Sequence, residues 1–167
     1  MAVTEGHDRV GMGLACRVGG GVLGGLTGGV AFGLIMQWLG WLPTVAKLAE
    51  GNSLFVGWCV HMAIAAFVGA TYAVLFGWMA EALVASAVLG VMYGAIWWVL
   101  GGLTLMPLRL GSGLFVFNTA AWQSLAGHLI YGLVLGIAYV LFMPNHARHS
   151  QPAPQHRASS VDRARTY

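Results

Sequence analysis

The sequence predicts an all-α integral membrane protein, a four-helix bundle built from two parallel-repeat helical hairpins. Three observations carry this expectation. Of the 167 residues, 58% are hydrophobic and 8% charged, where a soluble domain has about a quarter charged. Four apolar stretches free of Asp, Glu, Lys and Arg are long enough to cross about 30 Å of hydrocarbon, which takes roughly 20 helical residues. The pattern His-x7-Gly-x2-Tyr occurs in the second and again in the fourth stretch. The composition argues against a soluble enzyme, a nucleic-acid binder and a disordered chain, and names the lipid bilayer as the first partner.

Residues 1–17 are polar enough to form a cytoplasmic N-terminal segment and lack the apolar core of a signal peptide. Span one covers Val18–Gly40, span two Leu54–Gly77, span three Ala82–Thr104 and span four Ala121–Met143. Pro43, Pro107 and Pro144 follow spans one, three and four, where a proline stops a helix without damaging its interior. Residues 144–167 are polar and basic, with Pro152 and Pro154, and are expected to be disordered. His146, His149 and His156 in that tail offer a metal ion no fixed geometry, so no metal site is expected there.

Basic residues set the expected orientation. Arg9 and Arg17 precede span one, and Arg148, Arg157, Arg163 and Arg165 follow span four; the loops on the other side hold only Lys47 and Arg109. Both termini are therefore expected in the cytoplasm, with the chain multi-pass in a plasma (inner) membrane. Cys16 and Cys59 then lie at different depths, too far apart for a disulfide, and read as small packing residues.

The histidine pattern extends into a duplication, 18–77 and 82–143. His61, Gly69 and Tyr72 match His128, Gly136 and Tyr139; Gly25 and Gly29 align with Gly90 and Gly94, and Phe32 with Trp97. Both copies enter the membrane from the same side, which makes the repeat parallel. His61 and His128 should then share one depth, about 10 Å below the outer surface at about 1.5 Å per residue.

Glycines dominate the spans. Gly21, Gly25, Gly29 and Gly33 form a row at four-residue spacing, with Gly20, Gly24 and Gly28 beside it. Gly90 and Gly94 mark span three, Gly69 span two, and Gly132 and Gly136 span four. Small residues four apart share a helix face and allow close backbone contact, a main source of association in lipid. Packing inside one bundle is the first expectation. A second is that one ridge of span one packs internally while the other meets a second molecule, as homo-oligomer or partner subunit. A glycine-lined pore is disfavoured, because no polar ring lines it.

An ionisable group within a span is a functional candidate. Two symmetric histidines at one depth suit the axial ligands of a haem b, or one ligand each for a pair of chlorophyll-type pigments. Against this, a neutral histidine can serve structure alone by donating to a carbonyl of a neighbouring helix. The small residues on the same faces also favour close helix approach. A macrocycle fits only where those residues touch spans one and three while the outer ends of spans two and four splay apart. A proton or ion path lacks any intramembrane carboxylate.

The remaining features are weaker. Trp38, Trp41, Trp58 and Trp122 form an outer aromatic belt, Trp78 an inner one, and Trp97 and Trp98 should pack. Ser124 lies one turn before His128, but no orienting group or oxyanion donor accompanies them, so no catalytic residues are expected. The outer loop Leu108–Thr119 is apolar, with Leu114, Phe115, Val116 and Phe117, which favours a subunit of something larger. The run Gly127-His128-Leu129-Ile130-Tyr131-Gly132-Leu133-Val134-Leu135-Gly136 resembles segments of small bacterial and archaeal four-helix membrane proteins with no assigned activity. That resemblance implies the four-span fold and no mechanism. The leading expectation is a non-catalytic accessory or assembly subunit packing through its glycine ridges. The alternatives are a haem- or pigment-binding electron-transfer protein using His61 and His128, and a small oligomeric channel or carrier.

Overall fold

The computed structural model describes residues 2–80 and 82–143, with the side chains of residues 13–80 and 82–143. Four helical stretches are long and apolar enough to cross a membrane: Gly13–Trp38, Leu54–Phe76, Leu83–Arg109 and Thr119–Phe142. The proposed tail, residues 144–167 with Pro144 and its three histidines, lies outside the described residues.

Helix α1 runs over Ala2–Trp38, so its helical conformation begins well before the expected span. It ends at Gly40, not at Pro43. Gly40 takes φ +73°, its N–H donates to the Gln37 carbonyl at 3.1 Å, and the Trp41 N–H donates to that of Met36 at 2.8 Å. That pair of bonds is a Schellman stop, which needs a residue tolerant of the left-handed region. Pro43 instead sits in the first turn of a short helix α2, Leu42–Ala46, where its missing N–H costs nothing. The loop between spans one and two is therefore structured. Leu42 and Ala46 are fully buried in it, and Gly57 permits the Leu42 backbone to lie against the next helix.

Helix α3, Leu54–Phe76, is capped by Ser53, whose hydroxyl accepts from the Val56 N–H at 3.2 Å. Helix α4, Leu83–Trp97, continues without interruption into a π-helical stretch, Trp98–Leu105, and a short α5, Met106–Arg109. Pro107 therefore does not end span three, which reaches Arg109. Pro107 falls in the first turn of α5, and the wider register of the preceding turns prepares the place of its absent donor. Helix α6, Thr119–Phe142, starts two residues earlier than expected because Asn118 caps it, accepting from the Ala121 N–H at 3.0 Å.

Glycine contacts define how the helices meet. A Cβ on Gly21, Gly25 or Gly29 would strike Gly69, Ala65 and Ala73 of α3, and one on Gly33 would strike Trp58. Partner numbers fall as those of α1 rise, so α1 and α3 are antiparallel. Gly20 faces Met143, just beyond α6, and Gly24 and Gly28 face Leu135 and Tyr131 of α6, in the same sense. Gly90 and Gly94 meet Gly132 and His128 backbone of α6, and Gly136 meets Ser86. The cyclic order is thus α3, α1, α6, α4.

Two expectations are corrected here. Neither ridge of α1 is free: one is covered by α3 and the other by α6 of the same chain. Cys16 and Cys59 are exposed and do not pack. The ring of contacts is also uneven. Helix α1 packs along α6, whereas α3 and α4 barely approach. Their gap is filled towards the chain's terminal end by Tyr72, Phe76 and Tyr93, in ring contacts of 5.5–5.8 Å, and opens at the other end.

Candidate functional site: a cavity between α3 and the π-helix

The open end of the gap is a cavity of about 1240 Å³. Its walls come from α1 (Phe32, Met36), α3 (His61, Ile64, Ala65, Phe67, Val68), the α4–π-helix junction (Trp97, Trp98, Gly101, Gly102) and α6 (Ser124, His128, Tyr131). Arg109 lies on its rim with Thr44, Ser112 and Asn118. Local sequence explains why space remains. Gly101 and Gly102 present no side chain, and a Cβ on Gly101 would meet only Trp97, at 3.9 Å. The π-helix holds its wider turn with the Thr104 hydroxyl, which donates to the Val99 carbonyl five residues back at 2.8 Å. Trp98 is anchored by an indole N–H bond to the Ala121 carbonyl at 3.0 Å. Tyr131 closes the floor by donating across the bundle to the Ala65 carbonyl at 2.8 Å.

The two sequence-predicted histidines both line the cavity, but they do not face each other across a gap. The ring of Phe32 stands between them, with centroids 5.7 Å from His61 and 4.9 Å from His128 and interplanar angles of 87° and 62°. Gly127 makes room for it, since a Cβ there would strike the Phe32 ring. The two imidazoles, expected as a pair of axial ligands for one haem, thus each meet the Phe32 ring edge-on.

The histidines also differ in state. His61 Nε2 is 2.8 Å from the Gly29 carbonyl; a carbonyl only accepts, so Nε2 carries the proton and ties α3 to α1. This is the structural role weighed from the sequence. His128 Nδ1 is 2.8 Å from the Ser124 carbonyl, so there the proton is on Nδ1 and the lone pair on Nε2. Among the described residues no hydrogen bond engages Nε2, and His128 lines the cavity. The Ser124 hydroxyl is 3.4 Å from the same Nδ1. With its proton committed to the carbonyl, that nitrogen is no base for Ser124.

The small residues of α3 and α6 do touch spans one and three, which meets one half of the expected condition for a macrocycle; the open seam lies between α3 and α4. The packing sites Gly21, Gly25, Gly29, Gly33, Gly69, Gly90, Gly94, Gly132 and Gly136 all make such contacts. Four features escaped sequence reading: the Phe32 wedge, the π-turn, the Tyr131 floor and the Arg109 rim. The pair Gly101-Gly102 in span three was the visible signal for the second. Among the described residues no group of three His, Cys, Asp or Glu could hold a metal ion by itself. Comparison with known proteins finds no matching family model, no matching curated protein and no matching solved structure.

Proposed function

We propose that this is a non-catalytic integral protein of the inner membrane that holds one metallotetrapyrrole, a haem or a chlorophyll-type pigment, in the cavity beside α3. His128 Nε2 would hold its metal, and His61 would serve structure. The observation that carries the reading is the His128 tautomer. Metal-ligating histidines donate their second ring N–H to a carbonyl or carboxylate, which fixes the ring and aims the other nitrogen at the metal. Ser124 supplies that carbonyl. The volume exceeds the range of about 300–1,000 Å³ usual for smaller ligands, and Trp97, Trp98, Phe67 and Tyr131 offer flat apolar walls. Bound there, such a group supplies light absorption or one-electron exchange.

The basic residues place both termini in the cytoplasm in this reading, so the cavity opens towards the outer leaflet. The matching contacts of Gly25 with Ala65 and Gly69, and of Gly90 with Gly132 and Gly136, support two parallel copies of one hairpin. The copies have diverged in use: the α1–α6 seam is closed, and the equivalent α3–α4 seam holds the ligand.

A second reading, an accessory or assembly subunit, is favoured by the loop after α5, where Leu114, Phe115, Val116 and Phe117 are exposed. Such a partner would dock on this loop, since both glycine ridges are occupied within the chain. Absorption spectra of gently solubilised protein, oxidised and then dithionite-reduced, separate the two. A Soret band that survives in His61→Ala and is lost in His128→Ala is expected. A spectrum of tryptophan and tyrosine alone, also after loading with ferric protoporphyrin IX, sinks the tetrapyrrole reading and leaves the subunit.

A further inference from the structure

Among the described residues, Arg109 is the one Lys, Arg, Asp or Glu that lines the cavity. It is the last residue of α5, placed on the rim by the π-helical turns that carry span three past Pro107. Thr44, Ser112 and Asn118 share that rim. The Asn118 carbonyl oxygen is committed to capping α6, which leaves its amide N–H groups as donors. The opposite end of the cavity is apolar, formed by Ala65 and Val68. The cavity is therefore polarised, with a cation and hydroxyl and amide donors at the mouth and hydrocarbon below.

Resting on the reading of the cavity above, we infer that Arg109 is a specificity residue that recognises a carboxylate on the ligand. The site then selects tetrapyrroles with free carboxylate arms over those in which the arms are esterified. His128 lies nine residues into α6 from Thr119, about 13 Å along the axis at about 1.5 Å per residue. A macrocycle ligated there lies between the apolar floor and the rim. An ionised edge turned to the floor would be desolvated without a partner, which is prohibitive, so that edge faces Arg109. The guanidinium fork matches a carboxylate in two parallel hydrogen bonds. An esterified arm carries no charge and accepts more weakly, so it forgoes most of this gain.

Purified full-length protein in nanodiscs is titrated with ferric protoporphyrin IX and, separately, with its dimethyl ester, following the Soret band. The unaltered protein is expected to bind the free acid about tenfold more tightly, the scale of one hydrogen bond to a charged group. In Arg109→Gln, an exposed substitution that leaves the packing intact, the preference should fall to within about twofold, and Arg109→Lys should restore only part of it. Equal binding of acid and ester by the unaltered protein, or a preference that survives in Arg109→Gln, overturns the role of Arg109 and leaves the cavity reading standing. No His128-dependent Soret shift with either probe overturns both.

Discussion

The ring of Tyr72 meets that of Tyr139 edge to face, with centroids 5.6 Å apart and planes at 81°, yet only one of the two hydroxyls is satisfied. The Tyr72 hydroxyl donates to the Ser86 carbonyl at 2.9 Å. It also lies 2.9 Å from the Ser86 Oγ, which itself donates to the Gly136 carbonyl at 2.8 Å. The Tyr139 hydroxyl is buried with no partner among the described residues. The register that aligns Gly25 with Gly90 aligns Gly21 with Ser86, so α1 carries a glycine at the aligned position where α4 supplies a hydroxyl. Tyr72→Phe should lower stability by about 1 kcal/mol, whereas Tyr139→Phe should raise it by a similar amount by removing an unpaired polar group. Unfolding by SDS in mixed micelles measures both.

Glycine substitutions should separate contact from mere presence. A Cβ at Gly25 would collide with α3 backbone, while one at Gly19 meets nothing within 4 Å. Gly25→Ala is expected to destabilise the monomer by about 2–3 kcal/mol through overpacking. Gly19→Ala should stabilise it by about 0.5–1 kcal/mol by restricting the unfolded chain. The same unfolding assay reads both, and Gly24→Ala, whose Cβ would come no nearer than 3.1 Å to α6, should cost less than Gly25→Ala. A Gly25 or Gly24 variant that kept full stability but changed oligomeric state would return that ridge to an intermolecular role.

The histidines should divide stability from ligation. His61→Ala leaves the Gly29 carbonyl without its donor and should cost about 1–3 kcal/mol, with ligand absorption retained. His128→Ala should abolish axial ligation while its effect on unfolding stays smaller than that of His61→Ala. Comparing the Soret shift and the unfolding midpoint of the two variants checks the division, and a reversed pattern would exchange their roles.

Space in the cavity can be filled without disturbing the bundle. Gly101 lines it and has open room beyond its Cβ position. Gly101→Phe is expected to block uptake of ferric protoporphyrin IX while circular dichroism and unfolding remain close to those of the parent. Unchanged uptake would place the ligand elsewhere.

The four apolar helices, their rough limits and the pairing of small residues were legible in the sequence, because a bilayer demands long uncharged runs and glycine rows mark close approach whatever the partner. Helix ends were less legible: Gly40 stops α1 through its left-handed backbone, and Pro107 is absorbed by a π-turn that composition does not announce. Which face of α1 meets which helix, the Phe32 ring between the imidazoles and the opposite tautomers of the two histidines were decided only by the tertiary structure. Each depends on helix rotation, and in lipid that rotation is set by packing against neighbours rather than by an apolar–polar division of the helix surface. With nearly every face apolar, the sequence alone determined that four helices would lie side by side. The three-dimensional packing decided which seam closed and which remained open as a cavity.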